Sequence, residues 1–591
     1  MHWLDWSVIA LYMGMVTLIG FLFVRKANAS VADYFVAGRS LPWWLAGTSL
    51  VATSFAADTP LFVAGLLATK GIAGNWIWWN QAIAWALAIV FFARLWRRSG
   101  VTTDAEFIEL RYGGKSGAFL RGFRALFMSA IVSTCTLAWV MLAMQKIVQA
   151  TLARPEWVES LQLSIEQSFD LAPGAIDLWK WTVLVSLFLI ATFYTVLAGF
   201  WGIVVTDLVQ FVIAIVGAIV FAFYALDSVG GMTGLQAGLL EEYGPQRVSD
   251  MLRFFPEFVS LRAGLSFVVV YFSMLWWTDC NGYAAQRMFS TRDERQSTLA
   301  SLWFSIAHFA LRPWPWIVVG LVALVQYPGL EDPETGYPKL LMEIMPPGLK
   351  GMLVASLLAA FMSTVDTHLN WNASYFVTDI YKRFLVPDAD EAKCLQVSRM
   401  SVLVYAVMAI VVAYFMTSIE SGVLIFFNLT SSIGLVLILR WFWWRVNAWS
   451  EISAMIASVV FTTMLPIISD RYDLGWSFET RILLTVALVT PTWLVVTLLT
   501  APVEAKHLDK FYRGVQPPDL WWGPVAARCP EVLSQGGLVR PAMSWVSCAV
   551  MLYALLFTIG NSVLLQWSEA AVSAAVVCIA SLTMWKTYPR S

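Results

Sequence analysis

The sequence predicts an all-α protein that crosses a membrane many times. Hydrophobic residues fill 59% of its 591 positions and charged residues only 13%. With a mean hydropathy of +0.69, such a chain cannot give a soluble globule its polar surface. Apolar runs of about twenty residues, long enough to cross ~30 Å of hydrocarbon, recur throughout, and roughly fifteen can be counted. The net charge of −1 argues against nucleic acid as a partner. The six cysteines have no CxxC spacing, which argues against a metal or redox centre.

The first run, near 6–24, follows an acidic start and has no small-residue cleavage site, so it reads as a retained span rather than a signal peptide. The others lie near 42–67, 74–95, 120–152, 178–197, 201–226, 258–280, 296–327, 347–380, 400–417, 420–439, 449–469, 480–500, 541–562 and 567–587. Basic residues cluster in alternate loops: Arg25/Lys26/Arg39, Arg94 through Arg124, Arg287/Arg292/Arg295, Lys382 through Arg399, Arg440/Arg445, Lys506 to Arg540, and Lys586/Arg590. The positive-inside rule makes these loops cytoplasmic, which puts the N-terminus outside and the C-terminus inside a plasma (inner) membrane. The longest soluble insertion, 501–540, is rich in proline and shows no clear amphipathic pattern.

Within the second run, SLVATSFAADTPLFVAG (Ser49 to Gly65) carries Asp58 and Pro60 about halfway along. A mid-membrane aspartate costs roughly 2.5–3.5 kcal/mol and a helix-interior proline about 3 kcal/mol. Pro60 has no N–H for the Ala56 carbonyl and disfavours helical geometry at Thr59, so the helix is expected to open around 55–60. Open backbone at membrane depth survives only when buried or lining a cavity, where its carbonyls can hold a cation. The alternative is a proline kink repaired by neighbouring helices.

A second polar stripe lies in GLKGMLVASLLAAFMSTVDTHLNWNASYFVTDIYKRF. At 100° per residue, Ala360, Ser363, Thr364, Asp366, Thr367 and Asn370 share one arc. Either hydroxyl alone reads as bonding to its own backbone or a neighbouring helix; Asp366 and Asn370 beside them shift the reading toward an ion or solute path.

These segments, with others in the same order, resemble the sodium/solute symporter family, which includes the sodium–glucose and sodium–proline cotransporters. The resemblance covers roughly 5–440. It is carried by ADYFVAGRSLPWW, SLVATSFAADT, VTTDAEFIELRYG, YTVLAGFWGIVVTDLVQ, AAQRMFSTRDE and MSTVDTHLNWNASYFVTDIYKRF. It implies a LeuT-like core of two inverted five-helix repeats, at 42–226 and 258–440. Before the core stands an extra N-terminal helix with its loop (1–41), and after it about four accessory helices (449–591) with the cytoplasmic loop 501–540. It also implies a second helix break near Phe272 to Gly282. The family's sodium site maps to the carbonyls of Ala52, Phe55 and Ala360 and the hydroxyls of Ser363 and Thr364, a neutral oxygen set suited to a monovalent ion. Asp207 matches an aspartate linked to sodium exit or a second sodium, and Asp366 is a further candidate for that role.

Asp58, Thr59 and Trp78 fall beside the expected solute. Trp78 stands where sugar or sialic acid carriers have a polar or acidic residue, so a sugar is disfavoured. An indole near a carboxylate favours an amine, an amino acid or another zwitterion, through a cation–π attraction of ~0.5–2 kcal/mol and charge pairing. With 31 tryptophans in the chain, a lipid-belt or packing role is the competing reading of any one ring. Arg312 is expected to pair with Asp366 or with a solute carboxylate.

The expected activity is sodium-coupled symport of a small organic solute by alternating access; the alternatives are a solute sensor on the same fold or a proton-coupled carrier. A sensor needs a signalling domain, and none follows KTYPRS. An enzyme needs a nucleophile or metal cluster. The four histidines are scattered, and no GxSxG, HExxH or ATP-binding loop occurs.

Overall fold

The computed structural model describes residues 1–27, 31–152, 154–258, 260–416, 418–532 and 537–589. Among them there is no strand, only two isolated bridges, Leu41 to Thr291 and Trp443 to Trp521. Twelve helices are long and apolar enough to cross a membrane, and one bent pair makes thirteen. Two shorter apolar helices, Leu178–Leu187 and Leu261–Ser273, fall on the two runs that remain of the expected set.

The N-terminal helix α1 (Trp3–Ala27) is followed by the bent pair α2 (Trp43–Ser54) and α3 (Asp58–Lys70), which meet at 55°. Next come α4 (Ile72–Ser99), α5 (Gly114–Thr151) and the helical run α6 (Leu178–Ser228). A surface helix α7 (Gly231–Leu252) leads to α8 (Leu261–Ser273), which stops before α9 (Tyr283–Ser290). Then follow α10 (Glu294–Gln326), α11 (Leu349–Leu385), α12 (Glu391–Phe415) and α13 (Ile419–Phe442). The accessory part is α14 (Ala448–Arg471), α15 (Phe478–Leu499), α16 (Ala505–Val515), α17 (Val539–Val563) and α18 (Trp567–Thr587).

Several starts follow directly from capping residues. Asp293, Asp390 and Ser477 accept the N–H of the residue three positions on. Asn447 and Ser450 form a reciprocal capping box at α14.

Long-range contacts sort the helix ends onto two faces. At the N-terminal face Asp5 accepts from Gly348 and Gly351 at 2.7 and 2.8 Å, Lys70 meets Glu420, and Lys146 meets Asp332 and Glu334. Lys180 and Phe221, near opposite ends of α6, contact Tyr414 and Tyr337, which both belong to this face. The 51-residue run α6 therefore doubles back as two arms. At the opposite, basic face Arg98 pairs with Glu294, Arg383 with Glu109, and Arg124 with Glu451.

Two expectations change. The insertion at 501–540 contains an amphipathic helix after all: Leu508, Phe511, Tyr512 and Val515 of α16 are buried under the basic face, where His507 also reaches the Leu110 carbonyl. Its four apolar contacts at i, i+3, i+4 and i+7 were obscured by the surrounding prolines. Several basic residues counted as loop charges are interior: Arg111, Arg124, Arg287 and Arg440 are fully buried.

α13 packs so closely on the segment joining α8 to α9 that a Cβ on Gly434 would overlap the Trp277 carbonyl. Gly434→Ala is expected to destabilise the protein by ~1–3 kcal/mol, because backbone there cannot yield cheaply. Gly514→Ala, in α16 with nothing within 4 Å, is expected to be neutral or to stabilise by up to ~1 kcal/mol. Thermal unfolding of both variants checks the contrast, and equal melting temperatures would refute the close packing.

Candidate functional site

The two helix breaks face one cavity. α2 ends at Ser54 and α3 begins at Asp58, so the opening spans Phe55 to Ala57, slightly ahead of Pro60. The proline occupies the first turn of α3, where a missing N–H costs nothing, and Thr59 N–H takes the Ala56 carbonyl at 3.2 Å. The second break runs from Met274 to Gly282, within the expected interval. Between the breaks lies a cavity of 350 Å³, walled by Asp58, Thr59, Trp78, Gln81, Asn281, Tyr283, Thr364 and Thr430, among others. Asp58, Thr59 and Trp78 are thus brought together. Asp58 Oδ1 is buried without a hydrogen-bond partner, while the Trp78 indole donates to Asn75 at 2.9 Å.

The freed end of α2 is held from two sides. Arg312 donates to the Val51 carbonyl at 3.3 Å and the Ser54 carbonyl at 2.6 Å, with its guanidinium over the Phe55 and Trp316 rings at 5.2 and 4.9 Å. This corrects the expected partnership with Asp366. Arg312 neutralises carbonyl dipoles, and Asp366 instead accepts from Thr195 at 2.7 Å, leaving its other oxygen without a partner. On the other side the Thr364 hydroxyl faces the Thr53 carbonyl at 2.8 Å and the Ala360 carbonyl at 3.1 Å. Ala52, Phe55, Ala360, Ser363 and Thr364 are all at most 3% exposed.

The two neighbouring hydroxyls look different ways. Ser363 donates to Asp207 at 2.5 Å, and Asp207 also accepts from Ser49 at 2.5 Å. Arg287 completes this cluster: it lies 3.6 Å from Asp207 and donates to Ser49, Thr53 and Thr367. Asp207 therefore joins α6, α2, α9 and α11 at one buried point, and its charge is matched inside the protein. Among the described residues no three His, Cys, Asp or Glu side chains group as a metal site. The oxygens at the end of α2 are carbonyls and hydroxyls, a donor set for a weakly held monovalent ion.

Sequence reasoning missed other members of this site. Arg287 looked like a loop charge, but α9 resumes the broken helix and carries it inward. His308 and His368, 60 positions apart in the chain, both line the cavity. His308 sits edge-on to Trp78 at 5.7 Å, and His368 bonds Ser133 at 2.8 Å. His308 belongs to a π-helical turn, Ile306–Leu311, which no sequence period announces. Asp279, inside the second break, is fully buried and bound by Arg440 at 2.6 Å and the Trp441 indole at 2.8 Å. Arg440 continues to Glu451, which accepts from Arg124 and Tyr112. The cavity reaches Arg124, so this ion network closes its basic-face end.

Comparisons with known proteins bear on the family and the fold. The model of the sodium:solute symporter family matches residues 34–155 and 175–458. A sodium/glucose cotransporter 4 from Danio rerio is 26% identical over 656 residues, covering 99% of this chain and 93% of its own. A sodium/glucose cotransporter from Vibrio parahaemolyticus is 24% identical over 493 residues, covering 79% and 85%. The sodium/myo-inositol cotransporter 2 of Oryctolagus cuniculus is 24% identical over 596 residues, covering 90% and 82%. A solved substrate-bound, outward-open structure of a sodium-coupled sialic acid symporter superposes with a TM-score of 0.65 at 19% identity, over 85% of this chain and 99% of that one. The fold is accordingly LeuT-like, the relatives are carriers rather than enzymes, and sodium is the coupling ion. This multi-pass membrane protein belongs to the sodium:solute symporter family.

Proposed function

We propose that the protein imports a small organic solute with sodium by alternating access, and that sodium binds at the carbonyls of Ala52, Phe55 and Ala360 with the hydroxyls of Ser363 and Thr364. The observation that carries the reading is the convergence of the broken α2 end and the Thr364 hydroxyl beside one cavity. Sodium there would cross-link α2 to α11 and steady the wall that carries Asp58 and Thr59. One sodium crossing at 100 mV contributes roughly 2.3 kcal/mol from the electrical term alone. The two repeats are read as 42–226 and 258–440, since each opens with an interrupted helix. The flanking units are 1–41 and 449–591.

Asp207, already paired with Arg287, is read as a relay between Ser363 and the basic face on the sodium exit path. Asp366, with one oxygen unpartnered, is the better candidate for holding a second sodium.

For the solute, the unpartnered oxygen of Asp58 beside the Trp78, Trp139 and Tyr283 rings favours an amine, amino acid or other zwitterion. A second reading, a polyol, has its own support: several relatives are named as glucose, mannose and myo-inositol cotransporters, and Gln81, Asn281 and Thr430 offer hydroxyl partners on the same wall. The basic face is read as cytoplasmic in a plasma membrane, with the N-terminus outside.

Ser363→Ala with Thr364→Ala removes two of the proposed oxygens without adding bulk. The double variant is expected to insert normally but to need far more sodium for uptake and for thermal stabilisation; an unchanged sodium dependence sinks the site. Asp58→Asn separates the solute classes. Losing one partner of a desolvated charge pair typically costs 2–5 kcal/mol, so binding of a cationic or zwitterionic solute should vanish. A polyol should still bind, since an amide can accept its hydroxyl. Thermal stabilisation by sodium alone, then by sodium with amino acids or sugars, reads both. Orientation is checked with single cysteines in a cysteine-free background at two exposed positions. Glu331→Cys should label from outside and Lys510→Cys only after permeabilisation. The reverse pattern would overturn the assignment.

A further inference from the structure

A second cavity lies away from the proposed solute site. A groove of 1140 Å³ opens between α7, α17 and α18, far larger than the 350 Å³ central cavity. Its walls are apolar: Leu240 and Val248 from α7, Phe557 from α17, Val572 and Val576 from α18. α17 rises from the basic face, so the groove's residues near its end and near the start of α18 occupy the half of the bilayer next to the N-terminal face. In that half an apolar wall is covered by lipid chain, and polar residues at the helix ends lie at headgroup level. The rim carries both signs of charge. Arg253 pairs with Asp250 at 3.2 Å and Glu257 at 2.7 Å, and Glu569 lines the same groove. One cation among three carboxylates repels an anionic headgroup. A headgroup holding both phosphate and ammonium can pair with Arg253 and Glu569 together.

The floor of this groove is also the back of the solute cavity. Tyr553 and Phe255 each pack at a tilt against Trp76, with ring centroids 5.1 Å apart. The Tyr553 hydroxyl donates to the Trp79 carbonyl at 3.0 Å, beside Asn80, where α4 is interrupted. Trp78 and Gln81, on either side of that interruption, face the solute cavity.

We propose that the groove binds one amine-headed zwitterionic phospholipid of that leaflet, and that its occupancy sets the position of Trp78 and Gln81 through Tyr553. The coupling rests on the central cavity being the solute site; lipid binding does not. The full-length protein is reconstituted in nanodiscs of equimolar phosphatidylethanolamine and phosphatidylglycerol, extracted, and analysed by native mass spectrometry without sodium or solute. One retained phosphatidylethanolamine per chain is expected. Retention should fall on the order of tenfold in Val572→Trp, a groove-filling change at a residue 67% exposed and therefore tolerated by the fold. Equal retention of both lipids, or unaltered retention in Val572→Trp, overturns the site. For the coupling, solute-induced thermal stabilisation should differ between discs of the two pure lipids in the wild type and become equal in Tyr553→Phe, which keeps the groove but loses the hydroxyl. A wild-type response identical in both lipids overturns the coupling.

Discussion

A helix that stops inside hydrocarbon leaves carbonyls that lipid cannot satisfy, and the architecture depends on how this chain answers that demand at the end of α2. The answer uses one guanidinium and one hydroxyl. Arg312 takes the Val51 and Ser54 carbonyls from one side, and Thr364 takes that of Thr53 from the other. Both partners lie on α10 and α11, more than 250 residues further along the chain, so the break is what fastens the end of α2 to these two helices. A planar fork with several donors suits this better than a point charge, because two carbonyls three residues apart can be bridged by one group.

The remaining buried charges follow from the same constraint. Each break has its own ionic partner: Arg287 with Asp207 near the α2 side, Arg440 with Asp279 inside the second break. Each charge alone would be too costly in a low-dielectric interior, and each pair is further bonded by hydroxyls or an indole. The pairs are not symmetric in consequence. The Asp207 cluster touches Ser363, next to the proposed sodium oxygens. The Asp279 cluster runs through Glu451 to Arg124 at the end of the cavity. A change at the first cluster is therefore felt by the ion, and a change at the second by the route to the basic face.

Much of this was legible in the sequence because the bilayer simplifies the code. Run length gave the spans, loop charge gave the alternation of faces, and the Asp58–Pro60 pair marked the first break to within a few residues. The stripe from Ala360 to Asn370 was readable because a helix period places it on one face, and all six of its residues are buried. What could not be read were interactions without a period. Arg287 and Arg440 are basic residues near helix ends, where a charge count cannot tell a solvated loop from an interior ion pair. The π-turn that aims His308 beside Trp78 has no local signature. α16 was hidden because its apolar face spans only three turns between prolines.

The accessory helices reach the core of the protein in two places. At the basic face the Phe511 and Trp522 rings both lie against the guanidinium of Arg111, at 5.3 and 4.8 Å, and its side chain holds the Arg440 carbonyl at 2.8 Å. Deeper in the membrane, Trp545 and Tyr553 of α17 hold the Ile83 and Trp79 carbonyls of α4 at 3.0 Å, behind the residues that wall the cavity. In the proposed reading, with α4 in the first repeat and α13 in the second, rocking of one repeat against the other would stretch or carry these contacts. The accessory part would then resist or time that motion from the basic face and from the middle of α4, a role that composition alone would not distinguish from simple membrane anchoring.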